Sequence, residues 1–499
     1  MSAAIVQVKK QPMKFSELLA AAQAKCLRRR GSAEVADVQS DSRRCKAGSC
    51  FVAVRGPNED GHQYIDAAVA AGAKAVVCED DAGVSPGLAC AVVAETRECL
   101  GRLAQAIRGW PARKLVKVGV TGTNGKSSVV HMIRAVLTAA GHRPALLGTI
   151  SYETGAREVP AGNTTPGAVE LAELTAEMVA AGKTHLVMEA SSHALDQRRT
   201  DGIDFQVGIF TNLSGDHLDY HVTMDNYLAT KRRHFEQLRP DASAVLNRDD
   251  AAGERMAAAT SAKVTWYGLS PAADLWARIE QVDGRGTRFA FLQGREKVPA
   301  FTPLIGRHNV LNCLAAAAAC LALGVPLGQI AEALAAVDNI RGRLQRVGRG
   351  VPYDVFVDYA HTDDALKNVL SSLRPLTHGR IVLVFGCGGD RDRAKRPRMA
   401  RVAEELAGRI IVTSDNPRSE DPQAIINEIL VGLTDDGRRR TEVRVNRREA
   451  IELAVGEARP GDIVVIAGKG HETYQDVGGR KIHFDDVETA EGLLRGGRW

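Results

Sequence analysis

The stretch VTGTNGKSSVV, residues 120–130, decides the fold. An apolar run, Leu115 to Val120, leads into it. After it comes SSVVHMIRAVLTAAG, in which Val130, Ile133, Val136 and Leu137 keep helical spacing and Gly141 marks a stop. The order is strand, glycine loop, helix. Such a loop aims backbone N–H groups and a helix N-terminus at phosphate. A strict P-loop carries a glycine five positions before Gly125; Val120 stands there, so the match is to the shorter pattern GxxGKS. The context still predicts a nucleotide cradle. Gly122, Thr123, Asn124, Gly125 and Ser128 would surround the phosphates, Lys126 would reach the terminal ones, and Ser127 could ligate Mg²⁺.

Downstream of this unit, HLVMEA (185–190) and FQVGIFTNL (205–213) read as strands alternating with helical segments, which predicts a mostly parallel sheet covered by helices. From about residue 264 to 304, VTWYGL, LWARIEQV and TRFAFL around Asp283-Gly284 suggest an antiparallel insert. Upstream, CFVAV and AKAVVC with the turn-rich GPNEDGHQY indicate a small α/β domain, and RGWPARK reads as a linker. From Arg341, the runs DVFVDYA, RIVLVFG, RIIVTSD and DIVVIAG, separated by helix-length segments, suggest a second doubly wound, Rossmann-like sheet. The expectation is an α/β protein of three domains, 1–108, 109–340 and 341–499.

Bulk properties narrow the function. A chain of 499 residues with 44% hydrophobic and 25% charged residues has the composition of a soluble globular protein, and a net charge of +5 is too small to make nucleic acid a main partner. Nine scattered cysteines without metal-ligand spacing suit a reducing cytoplasm. The N-terminus has no apolar core long enough for a signal peptide, and LNCLAAAAACLALGV falls short of the ~20 residues needed to span a bilayer, so no membrane association is expected.

Read singly, the remaining motifs are ambiguous. Glu189, ending HLVMEA, is either a Mg²⁺ ligand or a solvated strand-end acid. NLSGDHLDYH (212–221) holds Asp216, His217, Asp219 and His221, a metal site or a polar loop. Lys231 in YLATKRRHF reads by default as an exposed helix lysine. Asn309 and Asn312 open an Ala-rich helix, where Asn309 could cap it or both amides could face a base. Arg343 and Asp358 are a domain-junction arginine and a strand-end acid. The loops GCGGDRDRAKRPRM (386–399) and SDNPRSEDP (414–422) present arginines whose planar guanidinium suits carboxylates, and with GKGHE (468–472) they suggest a pocket for an anionic or zwitterionic ligand.

In order along the chain, TGTNGKSS, NTTPG, EASSHALDQRR, NLSGDHLDYH, the Lys231 segment, IGRHNVLN, GRLQRV, DYAHT, GCGGDRDRAKRP, DNPR and GKGHE resemble the Mur ligases, ATP-dependent enzymes that build the peptide of the bacterial cell-wall precursor. The resemblance covers nearly the whole chain. It implies an N-terminal UDP-binding domain, a central P-loop-type ATPase domain and a C-terminal amino-acid-binding domain. It further implies ATP and Mg²⁺ as cofactors and an acyl-phosphate intermediate; a monomer is the default expectation. Ser127, Glu189, His217 and Lys231, the last as a carbamate, match the family's metal-associated positions, and Lys126, Glu189, His217 and Lys231 its catalytic set. Asn309, Arg343 and Asp358 match contacts to the ATP base and ribose. Ser42, Asn163, Thr164, Thr165, Ser191, Gln197 and Arg199 would hold UDP-MurNAc-L-Ala-D-Glu. Arg391, Asp415, Asn416, Pro417, Arg418, Gly468 and Glu472 would hold the incoming amino acid, and DNPR resembles members that add meso-2,6-diaminopimelate; lysine-adding relatives lack the arginine. Asp363 stands where proline is expected, and Gly215 where a bulkier residue is common. Rival readings are a lysine-adding relative, a folylpolyglutamate synthase and a nucleotide-binding switch without amide chemistry.

Overall fold

A computed structural model describes residues 12–56, 59–348 and 350–496. Three principal sheets occupy successive stretches of the chain. The first has five strands: Asp37–Gln39, Ser49–Val52, Ala73–Cys78 and Ala89–Val93 run parallel, and Cys26–Arg30 closes one edge antiparallel.

The central sheet has eleven strands. Val116–Thr121 lies inside it, parallel to His185–Glu189 on one side and Val207–Phe210 on the other. Buried on both faces, it reads as the continuous apolar run seen in the sequence. Its carboxyl end delivers the glycine loop to the helix Lys126–Ala139, where Val130, Ile133, Val136 and Leu137 are buried as their spacing predicts. The helix ends where Gly141, at φ 84°, takes the left-handed conformation.

Two expectations need correction. Lys263–Gly268 is not part of an antiparallel insert: it runs parallel to Ser243–Asn247, and antiparallel pairing begins only between Leu275–Asp283 and Gly286–Gln293. All these strands continue the main sheet, because its open edge offers backbone partners that an isolated hairpin would lack. RGWPARK is not a loose linker either. Pro111–Lys114 forms a tight turn whose Pro111 and Ala112 are buried, with the Ala112 N–H donating to Gln105 Oε1 (3.2 Å).

The Ala-rich helix Arg307–Ala322 is buried on nearly every side, against the central sheet and the helix Lys126–Ala139. Small side chains permit that close approach, which explains an apolar run too short for a membrane. Among the described residues no helix is long and apolar enough to cross one.

The third sheet has six strands. Asp354–Asp358, Ile463–Ala467, Ile381–Phe385, Arg409–Val412 and Thr441–Val443 run parallel, and Gln345–Val347 lies antiparallel at one edge. All four runs anticipated from the sequence are strands, and the polar residues that follow them gather at the carboxyl ends, where ligands of such sheets sit.

Candidate functional site

The glycine loop keeps its shape because two of its positions exclude a side chain. A Cβ on Gly122 (φ 145°) would meet Thr211 Oγ1 at 1.9 Å, and one on Gly125 (φ 86°) would meet Asn312 Oδ1 at 2.4 Å. Thr211 Oγ1 donates to the Asn124 carbonyl (2.6 Å), while Asn212 Oδ1 accepts from the Asn124 N–H (2.9 Å). Lys126 folds back over the loop and donates to the carbonyls of Gly122 (3.0 Å) and Thr123 (2.8 Å). Burial lowers the pKa of its ammonium.

Lys231 is not the exposed helix lysine that its sequence context suggests. It lies on the inner face of Met224–Glu236, 1% exposed, and Nζ donates to the same Gly122 carbonyl (2.8 Å) from 4.2 Å above the Tyr227 ring. Burial, then the neighbouring Lys126 charge, hold its pKa well below the lysine range. Neither lysine has an ion-pair partner within 4 Å among the described residues. An ammonium at Lys126 buried without a counter-ion is costly, by several kcal/mol in order of magnitude, and makes an anion trap, a cost the neutral form of Lys231 avoids.

Glu189 is likewise not a solvated strand-end acid; it is 1% exposed. Its Oε1 accepts from Ser127 Oγ (2.9 Å) and the Thr149 N–H (2.8 Å), and its Oε2 from Thr149 Oγ1 (3.0 Å). His217 caps a short helix at φ 54°, with Nε2 3.4 Å from Asp216 Oδ2. Burial outweighs the Asp216 charge and lowers the imidazole pKa to about 3, so the ring is neutral at physiological pH. Burial works to raise the Asp216 carboxyl, but the charges of His217, His361, Lys395 and Lys126 prevail and bring it to about 2.

The third sheet closes over this end of the central one. Arg343 Nη2 donates to Ser127 Oγ (2.8 Å), with the guanidinium 4.8 Å from the Tyr359 ring centroid. Asp364 Oδ2 accepts from Asn124 Nδ2 (2.8 Å) and Ser214 Oγ (3.0 Å). Asp358 is buried, accepting the N–H groups of Leu344 (2.6 Å) and Ala360 (2.7 Å). Between the sheets lies a cavity of about 870 Å³. Of the residues singled out in the sequence, it brings together Thr123, Asn124, Gly125, Lys126, Ser127, Ser128, Thr164, Glu189, Ser191, His217, Lys231, Asn309, Asn312, Arg343 and Asp358. Asn309 does not cap its helix, which starts after Gly306; its Nδ2 donates to Ile305 O (2.9 Å) and its Oδ1 accepts from Asn312 (3.1 Å).

Other predicted residues flank the cavity. Thr165 Oγ1 donates to Glu189 O (2.8 Å), Arg199 Nη1 to Thr165 O (3.0 Å), and Arg199 also grips Gln197 Oε1 (2.7 Å). Thr149 Oγ1 lies 3.1 Å from Thr164 Oγ1, tying this loop to Glu189. Asn163, whose carbonyl accepts from the Tyr152 hydroxyl (2.5 Å), is exposed. Ser42 stands apart, on the turn Ser42–Arg44 of the first sheet.

On the third sheet the residues expected to hold the incoming amino acid form a separate cluster. Arg418 adopts φ 53°, and its Nη1 donates to Gly389 O (2.6 Å) with no carboxylate within 4 Å among the described residues. Asn416 Nδ2 donates to Glu472 Oε2 (2.8 Å), and Lys469 Nζ bridges Asn416 Oδ1 and Glu472 Oε2 (3.0 Å each). A Cβ on Gly468 would meet Asp415 Oδ2 at 2.6 Å, and Gly389 packs on the Pro417 carbonyl. Arg391 is exposed at the rim. Burial raises the Glu472 pKa against the pull of Lys469; in Asp415 burial is outweighed by Lys469 and Arg447, and the pKa falls.

Sequence reading missed Thr149, Asp364 and Lys469. Lys469 sits within GKGHE, and an acidic pair after Thr362 was visible, but only the fold shows that Asp364 faces Asn124 while Asp363 turns to Arg398 (3.3 Å).

Comparison with known proteins agrees with this geometry. The family models described as Mur ligase middle domain, Mur ligase glutamate ligase domain, and Mur ligase family catalytic domain match residues 120–320, 342–470 and 34–107. A relative from Geobacter metallireducens, the UDP-N-acetylmuramoyl-L-alanyl-D-glutamate--2,6-diaminopimelate ligase, is 43% identical over 93% of this chain and 94% of its own. A solved structure of a ligase of that same name is 32% identical, with a TM-score of 0.68 over 97% of this chain and 99% of that one. The MurF ligase of Thermotoga maritima in complex with ADP shares the fold at 17% identity, with a TM-score of 0.62 over 92% of this chain and 96% of that one. The chain belongs to the Mur ligase family.

Proposed function

We propose that this chain is the ATP-dependent ligase that joins meso-2,6-diaminopimelate to the D-Glu of UDP-MurNAc-L-Ala-D-Glu, forming the UDP-MurNAc tripeptide of peptidoglycan biosynthesis. One observation carries the chemistry: Lys126, buried with no ion-pair partner among the described residues, rests on the Gly122 carbonyl beside Lys231, at the mouth of a cavity closed from the other side by Arg343. Such a site collects negative charge at one point. Accumulated charge is what phosphoryl transfer to a carboxylate must stabilise.

In the reaction the D-Glu carboxylate oxygen attacks the γ-phosphorus of ATP and ADP leaves. The amine of diaminopimelate then attacks the acyl phosphate. The tetrahedral intermediate expels phosphate, which carries away the attacking oxygen, and the amine loses a proton. Lys126 would follow the γ-phosphate through this transfer, while Gly122 to Ser128 hold the polyphosphate by backbone and hydroxyl donors. Asn309 and Asp358, which line the cavity, would meet base and ribose. Arg343, from the third sheet and bonded to Ser127, would bridge the two sheets across bound ATP.

The donor set fits Mg²⁺, a hard ion that takes oxygen ligands: Ser127 Oγ and Glu189 Oε1 are 2.9 Å apart, and His217 is neutral. Bound there, Mg²⁺ would neutralise phosphate charge. As an ammonium Lys231 would oppose that ion. Its depressed pKa, however, favours the neutral amine, which is the form that reacts with carbon dioxide to give a carbamate, an anionic oxygen donor.

Thr164, Thr165, Ser191, Gln197 and Arg199 would hold the sugar dipeptide, with Asn163 at the rim and Ser42 reaching from the first sheet. Arg418 would take the distal carboxylate of diaminopimelate, which L-lysine lacks, and Glu472 the distal ammonium. The three-part division at 108/109 and 340/341 is supported by the three sheets and the three family matches. Nine free cysteines support a cytoplasmic location.

The test is oxygen transfer. With heavy-oxygen label in the D-Glu side-chain carboxylate, one labelled atom per turnover is expected in released phosphate. Label retained entirely in the peptide would contradict the acyl-phosphate route.

A further inference from the structure

The lysine of GKGHE has no role in the reading above, yet Lys469 is fully buried within the amino-acid cluster. It sits on a turn that only glycines permit: Gly468 and Gly470 take φ 111° and 54°, and a Cβ on Gly470 would lie 2.7 Å from Tyr359. The turn brings the chain back so that Glu472 N–H reaches Lys469 O (3.0 Å) and both side chains enter the same pocket. Lys469 Nζ and Asn416 Nδ2 both donate to Glu472 Oε2, leaving Oε1 without a hydrogen-bond donor among the described residues.

Charge points the same way. Asp415 and Glu472 are two carboxylates in one half-dry cluster, and without a cation between them one would take up a proton. Arg447 also lowers the Asp415 pKa, but its guanidinium is bound to Asp486 (2.7 Å, both fully buried) and Ala467 O (2.9 Å), and among the described residues it makes no hydrogen bond to Asp415 or Glu472. Lys469 leaves the cluster with a net charge of about −1, the complement of one ammonium group.

We propose that Lys469 is a specificity-determining residue for the incoming amino acid: it keeps Glu472 ionised and turns its free oxygen toward the pocket, so that the site accepts one substrate ammonium. This rests on the assignment of Glu472 to the distal ammonium of diaminopimelate. The other charged or titratable groups facing Glu472 are Asp415, Tyr359 and Arg447, with His471 beside it on the same turn and His361 acting on Asp415. Lys469 lowers the Glu472 pKa. Removing it must therefore move the acid limb of the pH profile upward.

The experiment compares K469M, K469R and E472Q with the wild type, reading kcat/KM for diaminopimelate against pH and KM for ATP. K469M is expected to move the acid limb up by about one pH unit or more and to lower kcat/KM about 100-fold near neutral pH, with KM for ATP within about twofold. K469R should restore the position of the limb. An unmoved limb in K469M, or equal losses for ATP and diaminopimelate, would overturn the proposal. So would failure of K469M to fold while K469R folds and works, which would confine the lysine to folding. E472Q separates the two levels: if it leaves KM for diaminopimelate unchanged, the pocket assignment itself fails; if it weakens diaminopimelate while K469M does not, only the role of Lys469 fails.

Discussion

The two ends of the reaction cleft treat buried cations in opposite ways. At the central sheet, Lys126 rests on backbone carbonyls with no carboxylate within 4 Å among the described residues, beside Lys231, whose buried amine is held toward the neutral form. On the third sheet, Arg396 is held by Glu420 and Glu428, Arg447 by Asp486, and Lys469 by Glu472. A cation resting on carbonyls has charge to spare for an incoming anion, whereas one paired with a carboxylate fixes shape. Arg418 breaks the second pattern. It sits among paired neighbours, but among the described residues its guanidinium hydrogen-bonds only Gly389 O, as expected of a group reserved for a substrate carboxylate.

The comparison is most severely tested at Lys126. Lys126→Met should lower phosphate release about 1,000-fold or more, since the charge it supplies has no substitute at the γ-phosphate. A loss below tenfold would mean that its missing counter-ion has no bearing on catalysis. Lys231→Ala should cost about 100-fold or more, and added bicarbonate should not restore activity, because alanine has no amine to carbamylate. Near-normal turnover would remove Lys231 from the site.

Arg418 sharpens the contrast on the other side. Arg418→Ala or Arg418→Lys should raise KM for diaminopimelate about 100-fold while KM for ATP stays within about twofold, the mark of a carboxylate left without its bidentate partner. An unchanged KM for diaminopimelate would return Arg418 to the shape-holding class. Smaller still is the contact between the sheets: Asp364→Ala should lower kcat about three- to tenfold by removing the bond to Asn124, with little change in thermal midpoint. An unaltered kcat in that variant would show that closure does not use this contact.

Histidines give the pH dependence of stability. Burial holds His131, His217 and His471 neutral, with pKa values lowered to about 3 from 6.5. The unfolded chain binds protons below pH 6.5 that the folded chain refuses, so their contribution is intact above 6.5 and is lost as pH falls toward about 3. The urea midpoint should therefore drop between about pH 7 and 5, by roughly 1–2 kcal/mol of stability per histidine in order of magnitude. A flat midpoint would contradict the burial of these rings.

Much of the fold was legible because parallel strands buried on both faces write themselves as short apolar runs, and the glycine loop fixed where the central sheet delivers its ligand. The direction of Lys263–Gly268 was not legible, since Trp266 and Tyr267 alternate as well in a parallel strand as in a hairpin. At the site, residue types and order singled out groups that the fold gathers around one cavity, but their burial was not legible. Lys231 is written in a run of charged residues, and only the packing of its helix onto Gly122 turns it inward. Asp364 and Thr149 were missed because their partners, Asn124 and Glu189, lie 240 and 40 residues away.

The most direct test is phosphate release from ATP in the presence of UDP-MurNAc-L-Ala-D-Glu, comparing meso-2,6-diaminopimelate with L-lysine and identifying the product by mass spectrometry. Release with a tripeptide product from diaminopimelate alone is the predicted result. Equal or preferential use of L-lysine would keep the ligase but contradict the reading of Arg418, and no release with either amino acid would contradict the assigned reaction.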